Sequence, residues 1–171
     1  VKDGDATLTK GTHYTLSYGA NHNAGTGAGS ITVSGIGNYL GSSAGAAFDI
    51  AKATHAGPPI QGTKQVISNT AAENVTYDLS TLVFPMGFSN KSFDSVAVEN
   101  DSSGLLTGAS VSGNTLTFNV AAKASGISGE LHVVVSGDNY NNFTAIITVT
   151  TVDKTPVTVS GVTVADKTYD A

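Results

Sequence analysis

The chain has 171 residues, enough for one domain or two small ones. Its net charge is −5, charged residues make up only 12%, and every one of its eight cations is a lysine; this excludes the clustered basic surface that nucleic acid or an anionic membrane needs. Cysteine is absent, so a disulfide framework, a thiol nucleophile and a thiolate metal site are excluded as well.

Helical spacing of apolar residues is not sustained anywhere, whereas alternation with period two is common. After a turn at Asp3-Gly4-Asp5, the first strand places Tyr14, Leu16 and Tyr18 on one face and Thr15 and Ser17 on the other. A second strand carries Ile31 and Val33. It runs into the turn Ser34-Gly35-Ile36-Gly37-Asn38-Tyr39, and a third strand follows at Ala46-Ala47-Phe48-Asp49-Ile50. His55-Ala56-Gly57-Pro58-Pro59 reads as a linker, because two prolines cannot both donate to a central ladder.

Beyond it the alternation resumes at Val75, Tyr77 and Leu79. It continues around Phe93, Val96 and Val98, and then at Leu116, Phe118 and Val120. The run Leu131-His132-Val133-Val134-Val135 leads into Ser136-Gly137-Asp138-Asn139-Tyr140, followed by Ala145-Ile146-Ile147-Thr148-Val149. A second boundary falls at Asp153-Lys154-Thr155-Pro156, and residues 157–169 read as one or two further strands. No apolar run approaches the roughly 18 residues of a membrane helix.

The strand–turn–strand unit with its Asn-Tyr pair therefore occurs twice, which suggests repeated small all-β modules. The predicted fold class is all-β: immunoglobulin-like β-sandwich modules in tandem, the first one incomplete. Residues 1–54 are the back part of one repeat, residues 60–153 a complete sandwich of about seven strands, and residues 156–171 the opening of a following repeat. The chain starts in mid-pattern and reads as a piece of a longer protein.

Leu8-Thr9-Lys10-Gly11-Thr12-His13-Tyr14, Asn21-His22-Asn23-Ala24-Gly25-Thr26, Gly35-Ile36-Gly37-Asn38-Tyr39-Leu40-Gly41 and Phe48-Asp49-Ile50 resemble a bacterial immunoglobulin-like tandem repeat of the MBG/YDG type. The ending Val162-Thr163-Val164-Ala165-Asp166-Lys167-Thr168-Tyr169-Asp170 is similar to the opening of such a repeat, with Ala171 where that pattern has glycine. The match covers residues 1–54 and 156–171. The middle region shares only the Asn-Tyr hairpin and the strand rhythm. The resemblance implies a non-catalytic spacer module of a cell-surface or secreted bacterial protein, part of an adhesin-like stalk. Neighbouring modules of the same protein are its expected partners. A sandwich lacking its first strands exposes a sheet edge, and residues 157–169 of another copy are expected to supply a strand to it.

Few residues invite chemistry. Asn38, Tyr39, Asn139 and Tyr140 read as structural hairpin residues, the asparagines capping turns and the tyrosines lying over the sandwich end. His13, His22, His55 and His132 show no metal-ligand spacing. Asp3-Gly4-Asp5 and Glu99-Asn100-Asp101 are either solvated turns or calcium-binding loops, and neither has the EF-hand spacing. Lys64 with Asn141 or Asn142, and Glu73 or Asp78 as the acid, are either ordinary surface residues or could be cast in the roles of an intramolecular isopeptide bond.

No nucleophile elbow, phosphate-cradling loop or dinucleotide fingerprint appears, so no enzyme, cofactor or metal is expected. The alternative function is a carbohydrate- or protein-binding module with a glycan or host protein as partner. Its contact residues would be Phe84, Met86 and Phe88, grouped around Pro85.

Overall fold

A computed structural model describes residues 1–156, 158, 160 and 161. The strands and the strand exchange expected of residues 157–169 lie largely outside these. The protein is all-β, with two single 3-10 turns as its only helical pieces among the described residues.

Two two-residue strands, β1 (Lys2–Asp3) and β2 (Ala6–Thr7), form a small hairpin across the left-handed Gly4. Strands β3 (Tyr14–Tyr18), β4 (Gly25–Gly35) and β5 (Ser43–Ile50) form an antiparallel sheet in the order β3-β4-β5. Its register puts Leu16, Val33 and Ala44 in one row and Tyr18, Ile31 and Ala46 in the next, with Phe48 beside Gly29. One face is therefore apolar, and the other carries Thr15, Ser17, Thr32, Ser34 and Asp49.

This first unit has one layer among the described residues. Among residues 1–59 only Gly29 is buried, because the Phe48 ring lies flat over it and leaves no room for a Cβ. Tyr18 is 62% exposed and Phe48 45%.

The second unit has two layers. β6 (Ile60–Ile67), β7 (Ala72–Asp78), β8 (Ser92–Glu99), β9 (Leu106–Ser112), β10 (Thr115–Val120), β11 (Ser128–Ser136) and β12 (Phe143–Val152) are its seven strands. One sheet has the order β6-β12-β11-β8 and the other β7-β10-β9. Neighbours are antiparallel except β6 and β12, which run parallel from Ile60 beside Ala145 to Ile67 beside Val152.

The core is what the alternation dictates. Leu116, Phe118 and Val120 of β10 face Leu131, Val133 and Val135 of β11 and Ala145, Ile147 and Val149 of β12, all essentially removed from water. Each such side chain contributes about 1.5–3 kcal/mol by burial, apart from the smaller alanine. Tyr77 reaches from the facing sheet onto β6, where Gly62 makes room: a Cβ there would stand 2.3 Å from the Tyr77 hydroxyl and 2.8 Å from the Ile147 side chain. Among the described residues every strand of this core lies between Ile60 and Val152.

Breaks in the alternation are bulges. Phe93 and Val96 are three apart, yet both turn towards the core, because Asp94 is an extra residue against β11. Asn119 sits opposite register shifts on both of its neighbours, where Asn74 (φ 52°) and Gly108 (φ 60°) take the left-handed conformation. The Asn74 N–H donates to Asn119 Oδ1 at 2.9 Å.

The buried hydroxyl of Thr151 donates to the Ala124 carbonyl at 2.6 Å and accepts from the Ile127 N–H at 2.9 Å, so no polar cost remains. Lys64 lies in the inward phase of β6, an edge strand, and is half-buried. A charge so placed discourages a further strand from pairing there.

Candidate functional site at the junction of the two units

The second Asn-Tyr turn joins β11 to β12 and lies against the first unit. Ala53 forms a parallel bridge with Tyr140: its N–H donates to the Asn139 carbonyl, and the Asn141 N–H donates to the Ala53 carbonyl, both at 2.8 Å. Asn139 adds its side chain. Oδ1 accepts from the Ala24 N–H at 2.9 Å, and Nδ2 donates to Asn23 Oδ1 at 3.2 Å. Lys52 Nζ donates to the Gly137 carbonyl at 2.8 Å, and Asn141 Nδ2 donates to Thr54 Oγ1 at 3.1 Å. The presumed linker is thus tied down: His55 bonds the Pro58 carbonyl and packs on Phe143 with ring centres 5.0 Å apart.

Aromatic rings form the floor of this junction. Phe84 stacks on Phe88 at 5.2 Å, Phe143 closes on both, and Tyr140 meets Phe88 edge-on at 5.6 Å. The Tyr140 hydroxyl donates weakly to the Met86 carbonyl at 3.4 Å. Gly137 must stay bare, since a Cβ would come within 2.8 Å of the Phe88 ring.

This places the three candidate contact residues differently from the expectation. Phe88, at 9% exposure, packs in the core, and Phe84, half-buried, stacks on it. Met86, at 97%, and Val83, at 86%, are what the loop presents.

The two Asn-Tyr pairs occupy equivalent turns with different partners. Tyr39 meets His13 edge-on at 5.7 Å and donates to Asp3 Oδ2 at 3.2 Å; desolvation and the neighbouring carboxylate push its hydroxyl above the usual tyrosine value. Asn38 is exposed in the 3-10 turn Gly37–Tyr39, whereas the Asn139 amide is engaged with the other unit and not with its own turn. Sequence reasoning missed Asn23, Lys52, Ala53 and Thr54; their only signal was position, just inside the proline-rich boundary or in a polar turn.

Other candidate chemistry is not assembled. The register sets Lys64 beside Val149, seven residues along β12 from Asn142, or roughly 23 Å. Lysine and asparagine therefore stand at different heights of the sandwich, and the residues considered for an isopeptide bond are not brought together. The carboxylate of Asp101 closes its own turn, accepting from the N–H groups of Leu105 and Leu106, both at 2.7 Å, and from Ser103 Oγ. Desolvation alone would raise its pKa, but these bonds outweigh it and hold it below the usual aspartate value. His132 pairs with Glu130 at 2.9 Å on the outer face of β11. Among the described residues no group of three or more His, Asp or Glu gathers as a metal site would require.

No family model, curated protein or solved structure matches this chain. The arrangement joins the first unit to the β11–β12 turn through backbone and side-chain hydrogen bonds.

Proposed function

We propose that the chain is a non-catalytic spacer of a bacterial cell-surface or secreted multidomain protein, a piece of an adhesin-like stalk built from immunoglobulin-like modules. The observation that carries this reading is the junction. A flexible tether between independent binding units would not need a β-bridge, a side-chain amide clamp and a lysine anchor across one turn. Further support comes from the strand pairing of the second unit, three strands facing four with the first and last strands side by side, which is close to that of immunoglobulin-type sandwiches. The repeated Asn-Tyr turn and the resemblance of residues 1–54 to the bacterial repeat point the same way.

The test is nitrogen-15 relaxation on the chain ended at Lys154, which retains the whole sandwich. The reading expects one common, anisotropic tumbling time for residues 14–50 and 60–152. Two independent tumbling times would overturn it.

A binding module is the second reading. It is favoured by the groove between the prolines and the Leu82–Pro85 stretch, lined by His55, Pro58, Tyr77 and Phe84, with Val83 exposed at its rim. A glycan array that responds to the protein, and falls silent for Val83→Ser with the fold retained, would favour that reading over the spacer.

A further inference from the structure

We propose that His13 is a pH-sensitive latch: as a neutral ring it holds the turn of residues 9–13 closed against the edge of β3, and taking up a proton releases that turn.

The latch consists of two hydrogen bonds between the same two residues. The His13 N–H donates to the Thr9 carbonyl at 2.9 Å, and the Thr9 N–H donates to His13 Nδ1 at 2.8 Å. A backbone N–H can only donate, so Nδ1 is the acceptor. The ring is therefore the neutral imidazole with its proton on Nε2, because in the imidazolium both nitrogens carry protons and neither accepts. The Thr9 bond and a proton on Nδ1 exclude each other. His55 and His132 differ in this respect. Each meets an oxygen acceptor through Nε2, the Pro58 carbonyl and Glu130 Oε2, and a protonated ring keeps such a bond.

The closed turn covers the start of the sheet edge. The His13 carbonyl accepts from the Ile36 N–H at 2.9 Å, so the next carbonyl, of Tyr14, points away from β4. Lys10 forms a parallel bridge with Tyr14, and the Gly11 N–H donates to that outward carbonyl at 2.8 Å. His13 is thus fixed to the sheet through its backbone, and the Thr9–Gly11 side of the turn is the part free to leave. Release gives the Thr9 N–H and the Tyr14 carbonyl to water.

Tyr39 meets the ring edge-on at 5.7 Å and donates its hydroxyl to Asp3 Oδ2. The charged and titratable groups around the ring are Lys2 and Asp3 of β1, the Val1 amino group, Lys10 in the turn itself, and Tyr14 and Tyr39. Asp3 is the one acid in this set, so its titration has to be separated from that of the ring.

The test is NMR of the chain from about pH 8 down to about pH 5, the range in which histidines change charge. Imidazole nitrogen shifts at the upper end should place the His13 proton on Nε2. As the ring charges, Gly11 amide exchange, corrected for its intrinsic pH dependence, should accelerate about tenfold with the same midpoint, the worth of one ordinary hydrogen bond. Gly11 is the telling residue. Its acceptor is not protonated in this step, so a change of field at the ring alone would shift the Thr9 signal and leave Gly11 protected. His13→Ala should exchange fast at Gly11 throughout, without a transition, and Asp3→Asn should keep the transition. Unmoved signals from residues 60–152 should show that the sandwich stays folded in both variants. A ring carrying its proton on Nδ1 at neutral pH, a Gly11 amide still protected once His13 is charged, or a transition that survives His13→Ala or disappears in Asp3→Asn would each overturn the proposal.

Discussion

Asn139 and Ala24 stand 115 residues apart in the chain, and the side-chain oxygen of the first holds the backbone N–H of the second at 2.9 Å. With the Nδ2 contact to Asn23, one amide spans the gap between the two units. Its removal should loosen their relative orientation more than it weakens either. In Asn139→Ala the Ala24 N–H turns to water, and stability falls by only about 1 kcal/mol. The two units should then show separate tumbling times in nitrogen-15 relaxation, with the urea midpoint of the sandwich little changed.

Phe88 and Met86 are two residues apart on one loop and should behave oppositely. Phe88→Ala empties a ring-lined site between Phe84, Phe143 and Tyr140 and should cost about 3–5 kcal/mol in urea unfolding. Met86→Ser touches no core residue and should leave the midpoint within about 0.5 kcal/mol.

Thr151 tests whether the pole of the sandwich beyond the core depends on a buried hydroxyl. Thr151→Val keeps the shape but leaves the Ile127 N–H and the Ala124 carbonyl without their partner. The expected loss is about 1–3 kcal/mol, and amide exchange should accelerate first at residues 124–127.

Asp101 gives a pH dependence with a definite sign. Its folded pKa lies below the unfolded value, since hydrogen bonds to the carboxylate outweigh desolvation. The stabilisation is therefore fully present above the ordinary aspartate value of 3.8 and is lost as the pH falls through the lower folded pKa. Urea midpoints measured downward from pH 6 should drop more steeply in this acid range for the native chain than for Asp101→Asn. At neutral pH that variant should itself be weaker by about 1–3 kcal/mol.

The all-β fold was legible wherever one strand face is buried and the other wet. Leu116, Phe118 and Val120 announce their burial because one hydroxyl, Thr117, and one amide, Asn119, separate them. The spacing of Phe93 and Val96 also held a message, a bulge, which alternation alone does not reveal. Loop residues have no period to betray them. Phe88 is drawn into the core by Tyr140 and Phe143, more than fifty residues downstream, and nothing local to Phe84-Pro85-Met86-Gly87-Phe88 specifies which ring turns in. The junction was hidden for the same reason: an asparagine in a glycine-containing turn is an ordinary turn residue, and only the docked unit gives its amide partners. Lys64 reads as a surface lysine until its strand is seen to be an edge with that position facing inward.

In the proposed spacer role, the parallel pairing of β6 and β12 would set how the sandwich responds to tension. Tension carried through the chain pulls Ile60 towards one pole and Val152 towards the other, along the axis of two strands joined over eight paired residues. The ladder bonds lie across that axis, so they are loaded together in shear and cannot be opened one at a time like a zipper. Resistance to stretching is then set by the rupture of a whole ladder, a property of the unfolding barrier and not of equilibrium stability.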